Sequence, residues 1–377
     1  MSSHVGRWLG RALSLLLPLC AFLIGIRGMG LAFKLLGRDA LEFFFHVSEN
    51  PFVGLLIGIL STSIVQSSSV TTSMVVGMVA APEAALPIAS AIPMVMGANI
   101  GTTVTNTIVS MGHVARPEEF RRALAAGTCD DFFNLLVVAL LLPLERATGM
   151  LEWLSGQIVG AIPRSSGRMD NPMATAADFV LDPLRDLSFA LWPTAGGGAL
   201  LFLLLSVATV FSALYVLVGR LRLLAKGRLE SSVSAALDAS PLVGLIAGAL
   251  LTALVQSSSL TLSLLVPLAG TGIMTLEQIF PLVLGANFGT TLTAFMASTA
   301  VPLQTLHQAV QISLVHMLFN LVGVLLIYPL PKLRALPLSM ARAIADIAVR
   351  SKLRAALYVV GLFYGLPLLG LVLFRLL

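Results

Sequence analysis

The sequence predicts an all-α polytopic membrane protein with two inverted-topology repeats, each containing a re-entrant or broken helix hairpin. Hydrophobic residues make up 57% of the 377 positions and charged residues only 11%, and the mean hydropathy is +0.95. Soluble domains carry about 25% charged residues. Two tracts, Leu201–Val218 and Pro241–Leu276, contain no charged residue. The first is close to the ~20 residues that cross a bilayer as a helix, and the second is longer. The same polar motifs also occur in both halves of the chain.

The first element is an apolar segment, residues 12–26, which follows two arginines. No small-residue cleavage site follows it, so we predict an uncleaved first transmembrane helix with its N-terminus inside the cell. Basic residues also flank later apolar spans, at 220–228 and 332–354, as expected for cytoplasmic loops. The net charge of +5 therefore reflects membrane anchoring. No basic stripe with interleaved aromatic residues is present, and we predict no nucleic-acid partner.

Internal repeats determine the predicted organisation. The segments Pro51–Thr71 and Pro241–Thr261 align without a gap and share 13 of 21 residues, including the motif QSSS. A second block, GANIGTTVT at Gly97–Thr105, returns as GANFGTTLT at Gly285–Thr293 with seven of nine residues identical. A shorter Phe-Asn-Leu echo follows in both halves. Apolar bias alone does not place the same polar residues at the same spacing twice.

The repeats divide the chain into four predicted segments. Charge placement in corresponding loops differs between the halves, which favours opposite orientations in the membrane. The segments are residues 1–143 (first repeat), 144–195 (polar linker, extramembrane or interfacial), 196–330 (second repeat) and 331–377 (basic interfacial helix and final transmembrane span).

The QSSS motifs interrupt apolar stretches with four consecutive polar residues. Serine hydroxyls compete for backbone hydrogen bonds and favour helix ends, so a broken or re-entrant hairpin is predicted at each motif. A helix break exposes N–H groups and a positive dipole end, which bind an oxyanion. The predicted oxyanion ligands are Gln66, Ser67, Ser68, Ser69, Gln256, Ser257, Ser258 and Ser259.

The GAN blocks are predicted to form unwound, glycine-flanked turns that bind a monovalent cation through neutral oxygens. Asp130, Asp131 and Asn134 extend this set, because an ionisable residue within a span is a functional candidate. The alternative is that the small residues only allow close helix packing. Asp130 could alternatively cap a helix. His316 is interpreted either as a residue that hydrogen bonds locally or as a proton carrier. The oxygen-bearing side chains are Asn99, Thr102, Thr103, Thr105, Asn287, Thr290, Thr291 and Thr293.

Paired QSSS motifs, each followed by GAN-[IF]-G-T-T, resemble those of the type II sodium–phosphate cotransporters. The resemblance implies that both QSSS stretches surround phosphate, with Thr102 nearby. It also implies sodium ligands at Thr107, Asp131 and Asn134, the last two within a stretch similar to the family's H-D-x-F-N motif. Asp130 stands where the family has His. The acidic residue expected in the loop after the first GAN block falls near Arg116, and Glu118 and Glu119 are alternatives at a shifted spacing. The linker lacks a long insert and no soluble domain follows the last span, which is typical of a compact bacterial member.

The predicted function is sodium-coupled, electrogenic symport of inorganic phosphate by alternating access in the cell's inner (plasma) membrane. The predicted partners are phosphate, sodium and the lipid bilayer, with sodium as the coupling ion, no cofactor and no enzymatic activity. The alternatives are a channel, a transporter of another oxyanion, a membrane scaffold and an intramembrane enzyme; the last lacks any Ser-His-Asp set repeated in both halves. The predicted sodium ligands are Asn99, Thr103, Thr107, Asp131, Asn134, Asn287, Thr290 and Thr291.

Overall fold

A computed structural model describes residues 2–48, 50–81, 85–102, 104–162, 172–225 and 240–376. These residues form helices and connecting turns without a strand, which confirms the all-α polytopic class. Within them, seven helical segments are long and apolar enough to cross a membrane. They are Leu13–Leu36, Ile88–His113, Pro117–Thr148, Ala195–Leu217, Leu276–Ser298, Leu303–Ile327 and Lys352–Phe374.

The first half begins with a long helix and continues with a two-armed hairpin and two further spans. A 3-10 turn, Met111–His113, joins the two spans. The helices are α1 (Ser2–Ser48), α2 (Pro51–Val65), α3 (Ser68–Val79), α4 (Ile88–Gly101), α5 (Val104–Ser110) and α6 (Pro117–Thr148).

The rest of the chain repeats this order after two connecting helices. The last span is interrupted by a π-helical turn, Gly361–Gly365. The helices are α7 (Met150–Gly160), α8 (Pro172–Leu191), α9 (Ala195–Ala225), α10 (Pro241–Val255), α11 (Ser258–Gly270), α12 (Leu276–Ser298), α13 (Leu306–Ile327), α14 (Pro331–Arg350), α15 (Lys352–Val360) and α16 (Leu366–Leu376).

The two hairpins, α2–α3 and α10–α11, are too short to cross the bilayer. Their arms have 15 and 12 residues in the first repeat and 15 and 13 in the second. At 1.5 Å per residue an arm reaches roughly 18–22 Å, less than the ~30 Å hydrocarbon core. Each hairpin therefore enters the membrane and returns to the same face.

The hairpins enter from opposite faces. Three candidate spans lie between them: α4–α5, α6 and α9. Helix α7 has only 11 residues and α8 carries four charged residues, so neither qualifies as a span. The stretches outside the described residues, 163–171 and 226–239, are each shorter than the ~20 residues that a span needs. An odd number of crossings places the two hairpins on opposite sides, as inverted repeats require.

The second GAN motif is helical throughout, so the unwound turn predicted there is wrong. In the first repeat the helix ends at Gly101, Thr102 lies in a turn and Thr103 is outside the described residues. GANFGTTLT lies wholly within α12, and GANIG forms the last turn of α4. The glycines instead allow each hairpin arm to pack closely on the following span. A Cβ at Gly97 would clash with the carbonyl of Leu55 on α2, and one at Gly285 would clash with Leu245 on α10.

The predicted segment boundaries shift by a few residues. Residue 143 lies inside α6, which continues to Thr148 and ends at Gly149, with φ +61°. The Glu145 carboxylate accepts hydrogen bonds from the Leu151 and Glu152 amides and caps α7. Helix α7 then packs on α13 of the second repeat, and α14 packs in the corresponding way on α6 of the first. The basic interfacial helix predicted within residues 331–377 is α14, which ends at Arg350.

Basic side chains tie several elements together at one face. Arg122, near the start of α6, donates two hydrogen bonds of 3.0 and 2.8 Å to the Gly270 carbonyl at the end of α11. Arg342 of α14 pairs with Glu277 at the start of α12. Between the start of α6 and the end of α9 the chain crosses the membrane twice, through α6 and through α9. The end of α9 therefore lies at the same face as the start of α6.

Candidate functional site

Both QSSS motifs form the same helix break, which confirms the predicted interruption of each hairpin. Gln66 and Gln256 adopt left-handed backbone angles, with φ of 55° and ψ of 30° and 29°, and they are the only non-glycine residues with positive φ in the described chain. The next residue is extended and begins the second arm. The Ser67 hydroxyl accepts a hydrogen bond from the Val70 amide at 3.3 Å, and the corresponding serine of the second repeat does the same. Serine is a preferred helix N-cap for this reason.

The two turns converge on a single cavity of about 650 Å³. The N-termini of α3 and α11 lie at it, so unpaired amides and the positive ends of two helix dipoles are brought together. Helix α9 supplies an apolar wall. The polar lining residues from the turns and their flanks are Ser67, Ser69, Thr105, Gln256, Ser257, Ser259 and Ser263.

The predicted phosphate ligands divide into two groups. Ser67, Ser69, Gln256, Ser257 and Ser259 line the cavity. The remaining predicted ligands do not line it. Of these, Gln66 is exposed, Ser68 and Ser258 are buried behind the turns, and the Thr102 hydroxyl donates to the Ala98 carbonyl of its own helix at 3.0 Å.

The two glutamines are not equivalent despite identical backbone geometry. Gln256 is buried, donates a 2.6 Å hydrogen bond to the Ala253 carbonyl and accepts one of 2.7 Å from the Thr293 hydroxyl. Both ends of its amide are therefore held within the second repeat. Gln66 is exposed to solvent.

A buried polar network connects the two repeats. The Asn287 amide donates a 2.6 Å hydrogen bond to the Asp130 carboxyl. The ring of His316 lies 3.2 Å from the Asn99 side-chain oxygen. Asn99 and Asn287 are the GAN asparagines, and Asp130 and His316 each stand four residues before a repeated asparagine. Each GAN asparagine thus contacts the equivalent position of the opposite repeat.

The predicted sodium ligands lie around this network rather than in one unwound turn. Asn134 donates to the Asn99 backbone carbonyl at 3.4 Å, and Asp131 accepts a 2.8 Å hydrogen bond from Tyr358. Thr290 and Thr291 donate to carbonyls of their own helix, which leaves their oxygen lone pairs available. The remaining predicted ligands are Thr107, which is buried in α5, and Thr103, which is outside the described residues.

Several buried side-chain oxygens in the described part of the chain have no hydrogen-bond partner. Such groups are rare in folded proteins and call for a ligand, a water molecule or an ion. Amide and hydroxyl oxygens are suitable ligands for a hard monovalent cation. Asn106, with both side-chain atoms unpaired, was not predicted as a ligand; its only sequence signal is its position between two threonines in an apolar span. The oxygens belong to Thr62, Thr105, Asn106, Asn134 and Asn320.

Sequence reasoning also missed two residues that bring a charge or a hydroxyl to the site. Arg220 of α9 lines the cavity and is exposed, although its position beside a span had marked it only as a membrane-flanking charge. Tyr358 of the last span reaches Asp131. Neither residue lies in a repeated motif, so the repeats gave no signal for them.

Inverted repeats, broken hairpins whose QSSS turns meet at one cavity, and buried polar pairs within the spans define the architecture of a secondary transporter. A family model described as Na+/Pi-cotransporter matches residues 21–144 and 210–367. The chain therefore belongs to the Na+/Pi-cotransporter family, as the QSSS and GAN motifs predicted.

Curated relatives extend this similarity over nearly the whole chain. Sodium-dependent phosphate transport protein 2A of Mus musculus is 33% identical over 97% of this chain and 68% of its own length. The protein of the same name from Ovis aries is 33% identical over 92% of this chain and 65% of its own length. Sodium-dependent phosphate transport protein 2B of Homo sapiens is 31% identical over 96% and 64%. The chain thus spans about two thirds of the length of these relatives. No solved structure matches it.

Proposed function

We propose that this protein is a sodium-coupled symporter of inorganic phosphate that works by alternating access. The observation that carries the proposal is the convergence of both QSSS turns on one cavity. The relatives are named as sodium-dependent phosphate transport proteins, which supports both the cargo and the coupling ion. The proposed location is the cell's inner (plasma) membrane.

Phosphate binds between the two turns. Ser69 and Ser259 face the cavity from the first turns of α3 and α11, where free amides and hydroxyls donate hydrogen bonds to a tetrahedral oxyanion. These donors are neutral, so they hold the anion without forming a salt bridge that would oppose its release. Arg220 is the one positively charged side chain in the described cavity lining, and it attracts the anion from solution.

Sodium binds to the oxygen-rich network beside this cavity. Asp131 supplies a carboxylate, and Asn134 supplies an amide oxygen that has no hydrogen-bond partner. Sodium neutralises the local carboxylates and so makes the cavity more favourable for divalent phosphate. The other proposed oxygen ligands are Asn99, Thr103, Thr107, Asn287, Thr290 and Thr291, with Asn106 added from its unpaired oxygen.

A third sodium ion makes the proposed transport electrogenic. Two sodium ions with HPO4 2− are electrically neutral, whereas three carry one net positive charge. A net charge that crosses the membrane gains about 2.3 kcal/mol per 100 mV of potential. A buried carboxylate at Asp131 provides a site for the third ion.

The cavity faces the cytoplasm in this state. Its lining follows α9 from Phe211 to Arg220, nine residues or roughly 14 Å along the helix. Arg220 lies toward the face where the other basic residues gather, and that face is cytoplasmic by the positive-inside rule. In alternating access, the two repeats shift relative to the rest of the protein and expose the same turns to the outside.

Uptake into proteoliposomes tests the proposal. Labelled phosphate should accumulate against its gradient when sodium is higher outside, and should not do so with potassium or a proton gradient. A phosphate-evoked inward current should accompany uptake. Equal downhill flux with any cation would indicate a channel, and preferred uptake of sulfate or arsenate would identify another oxyanion as cargo. Uptake without current at any voltage would contradict the electrogenic step.

A further inference from the structure

The last span lies outside both repeats, yet it reaches the polar network. Most of its side chains face outward, among them Leu353, Leu357 and Leu369. Phe363, by contrast, is fully buried, and Tyr358 is half-buried. The few inward-facing side chains are therefore the ones by which this span can influence the rest of the protein.

Tyr358 hydrogen bonds directly to Asp131. Its hydroxyl donates to a carboxylate oxygen at 2.8 Å, and the acid itself is fully buried. The tyrosine ring stacks on Phe132 at 5.9 Å and meets Phe363 edge-on at 6.2 Å. Packing on two sides holds the ring in place, so the hydroxyl presents a fixed donor to the carboxylate.

A second tyrosine anchors the same span to the first hairpin. The Tyr364 hydroxyl donates to the Ser63 carbonyl of α2 at 2.8 Å, three residues before the QSSS turn. Tyr364 lies within the π-helical turn Gly361–Gly365, which begins three residues after Tyr358. Single π-helical turns in otherwise α-helical segments occur frequently at functional sites. The span thus contacts an acid of the network through one tyrosine and a hairpin arm through the other.

We propose that Tyr358 is a positioning residue for sodium. Its hydroxyl fixes the rotamer of Asp131 and so orients the carboxylate for the ion, and a side chain outside both repeats thereby sets sodium affinity. This inference rests on the proposed function, in which Asp131 binds sodium. The phosphate cavity is formed by the hairpin turns and α9, and Tyr358 is not among its lining residues.

The variant Tyr358→Phe removes only the hydroxyl and keeps the ring packing. The sodium concentration for half-maximal phosphate uptake should rise roughly tenfold, since a hydrogen bond to a charged group is lost. The KM for phosphate at saturating sodium should stay within about twofold, because a positioning role acts on sodium alone. The matched control is Tyr364→Phe, which removes the same atom from the same span and should leave sodium activation unchanged. Equal shifts in both variants would overturn the proposal in favour of a general structural role.

Asp131→Asn and the double variant separate this inference from the proposed function. If Tyr358 acts through Asp131, its substitution should add no further shift in the Asp131→Asn background. An Asp131→Asn protein with normal sodium activation would overturn both the proposed sodium site and the inference. A shift in Asp131→Asn with none in Tyr358→Phe would overturn the inference alone. Sodium-dependent thermal stabilisation of the purified protein gives the same comparison for any variant that no longer transports.

Discussion

The Asn287 amide donates a 2.6 Å hydrogen bond to the Asp130 carboxyl, although the two residues lie 157 positions apart and belong to opposite repeats. The equivalent positions, Asn99 and His316, make the mirrored contact at 3.2 Å. Both pairs are buried and join a GAN helix to the last span of the other repeat. In the proposed alternating-access cycle the repeats move relative to the rest of the protein, and these pairs are well placed to hold one arrangement of the two halves.

The Asp130 position should therefore accept histidine but not leucine. Asp130→Leu leaves the buried Asn287 amide without an acceptor, at a cost of about 1–3 kcal/mol, and uptake should fall at least roughly tenfold. Asp130→His provides a ring nitrogen of the kind that His316 offers Asn99, because the Asn287 amide can turn its oxygen toward an N–H group. Uptake of labelled phosphate, normalised to purified monodisperse protein, measures the difference. Equal loss in both variants would contradict the cross-repeat pairing.

Substitution of the cavity-facing serines should weaken phosphate binding. Ser69→Ala and Ser259→Ala each remove one hydroxyl donor to the anion, so the KM for phosphate should rise roughly 3- to 10-fold while the sodium dependence changes little. The exposed Ser339 of α14 is the control, and Ser339→Ala should leave the KM unchanged. The measurement is initial uptake against phosphate concentration at saturating sodium. An unchanged KM in both cavity variants would exclude these hydroxyls as ligands.

Arg220 should matter for phosphate on the cytoplasmic side. The side chain is exposed, so its attraction for the anion is screened and worth about 1 kcal/mol. Arg220→Gln should therefore raise the KM for internal phosphate roughly fivefold in exchange assays, and the effect should shrink as ionic strength rises. Arg350→Gln, an exposed arginine on α14, is the control. A salt-independent effect would indicate a structural role for Arg220.

The GAN glycines should resist enlargement because of helix contact. Gly97→Ala and Gly285→Ala force a methyl group against a carbonyl of the neighbouring arm, and overpacking costs about 1–3 kcal/mol. Melting of the purified protein in detergent should occur roughly 1–4 °C lower. Gly160→Ala is the control, since a Cβ there meets no atom within 4 Å. If the GAN variants melt at the wild-type temperature, the packing explanation is wrong.

The GAN motif also shows a limit of sequence reasoning. Glycine beside polar residues predicts an unwound turn, but glycine equally permits two helices to approach closely. Both roles produce the same sequence motif, so the motif alone does not distinguish them. The neighbouring hairpin arm, about 40 residues away along the chain, decides between them. At QSSS the outcome was different. Three consecutive serines and a preceding glutamine favour a local helix break whatever packs against them, and the break is present in both repeats.

The sequence by itself determined the helical membrane class, the duplication and the position of each hairpin break, because hydropathy, repeated motifs and helix caps are local properties. Only the tertiary structure decided that Ser69 and Ser259 face the cavity while Ser68 and Ser258 do not, because that depends on how each arm is rotated within the bundle. It also decided that Asp130 meets Asn287 and that Tyr358 meets Asp131, 227 residues away. Contacts at such separations depend on how whole helices pack, and a sequence pattern of a few residues carries no information about that packing.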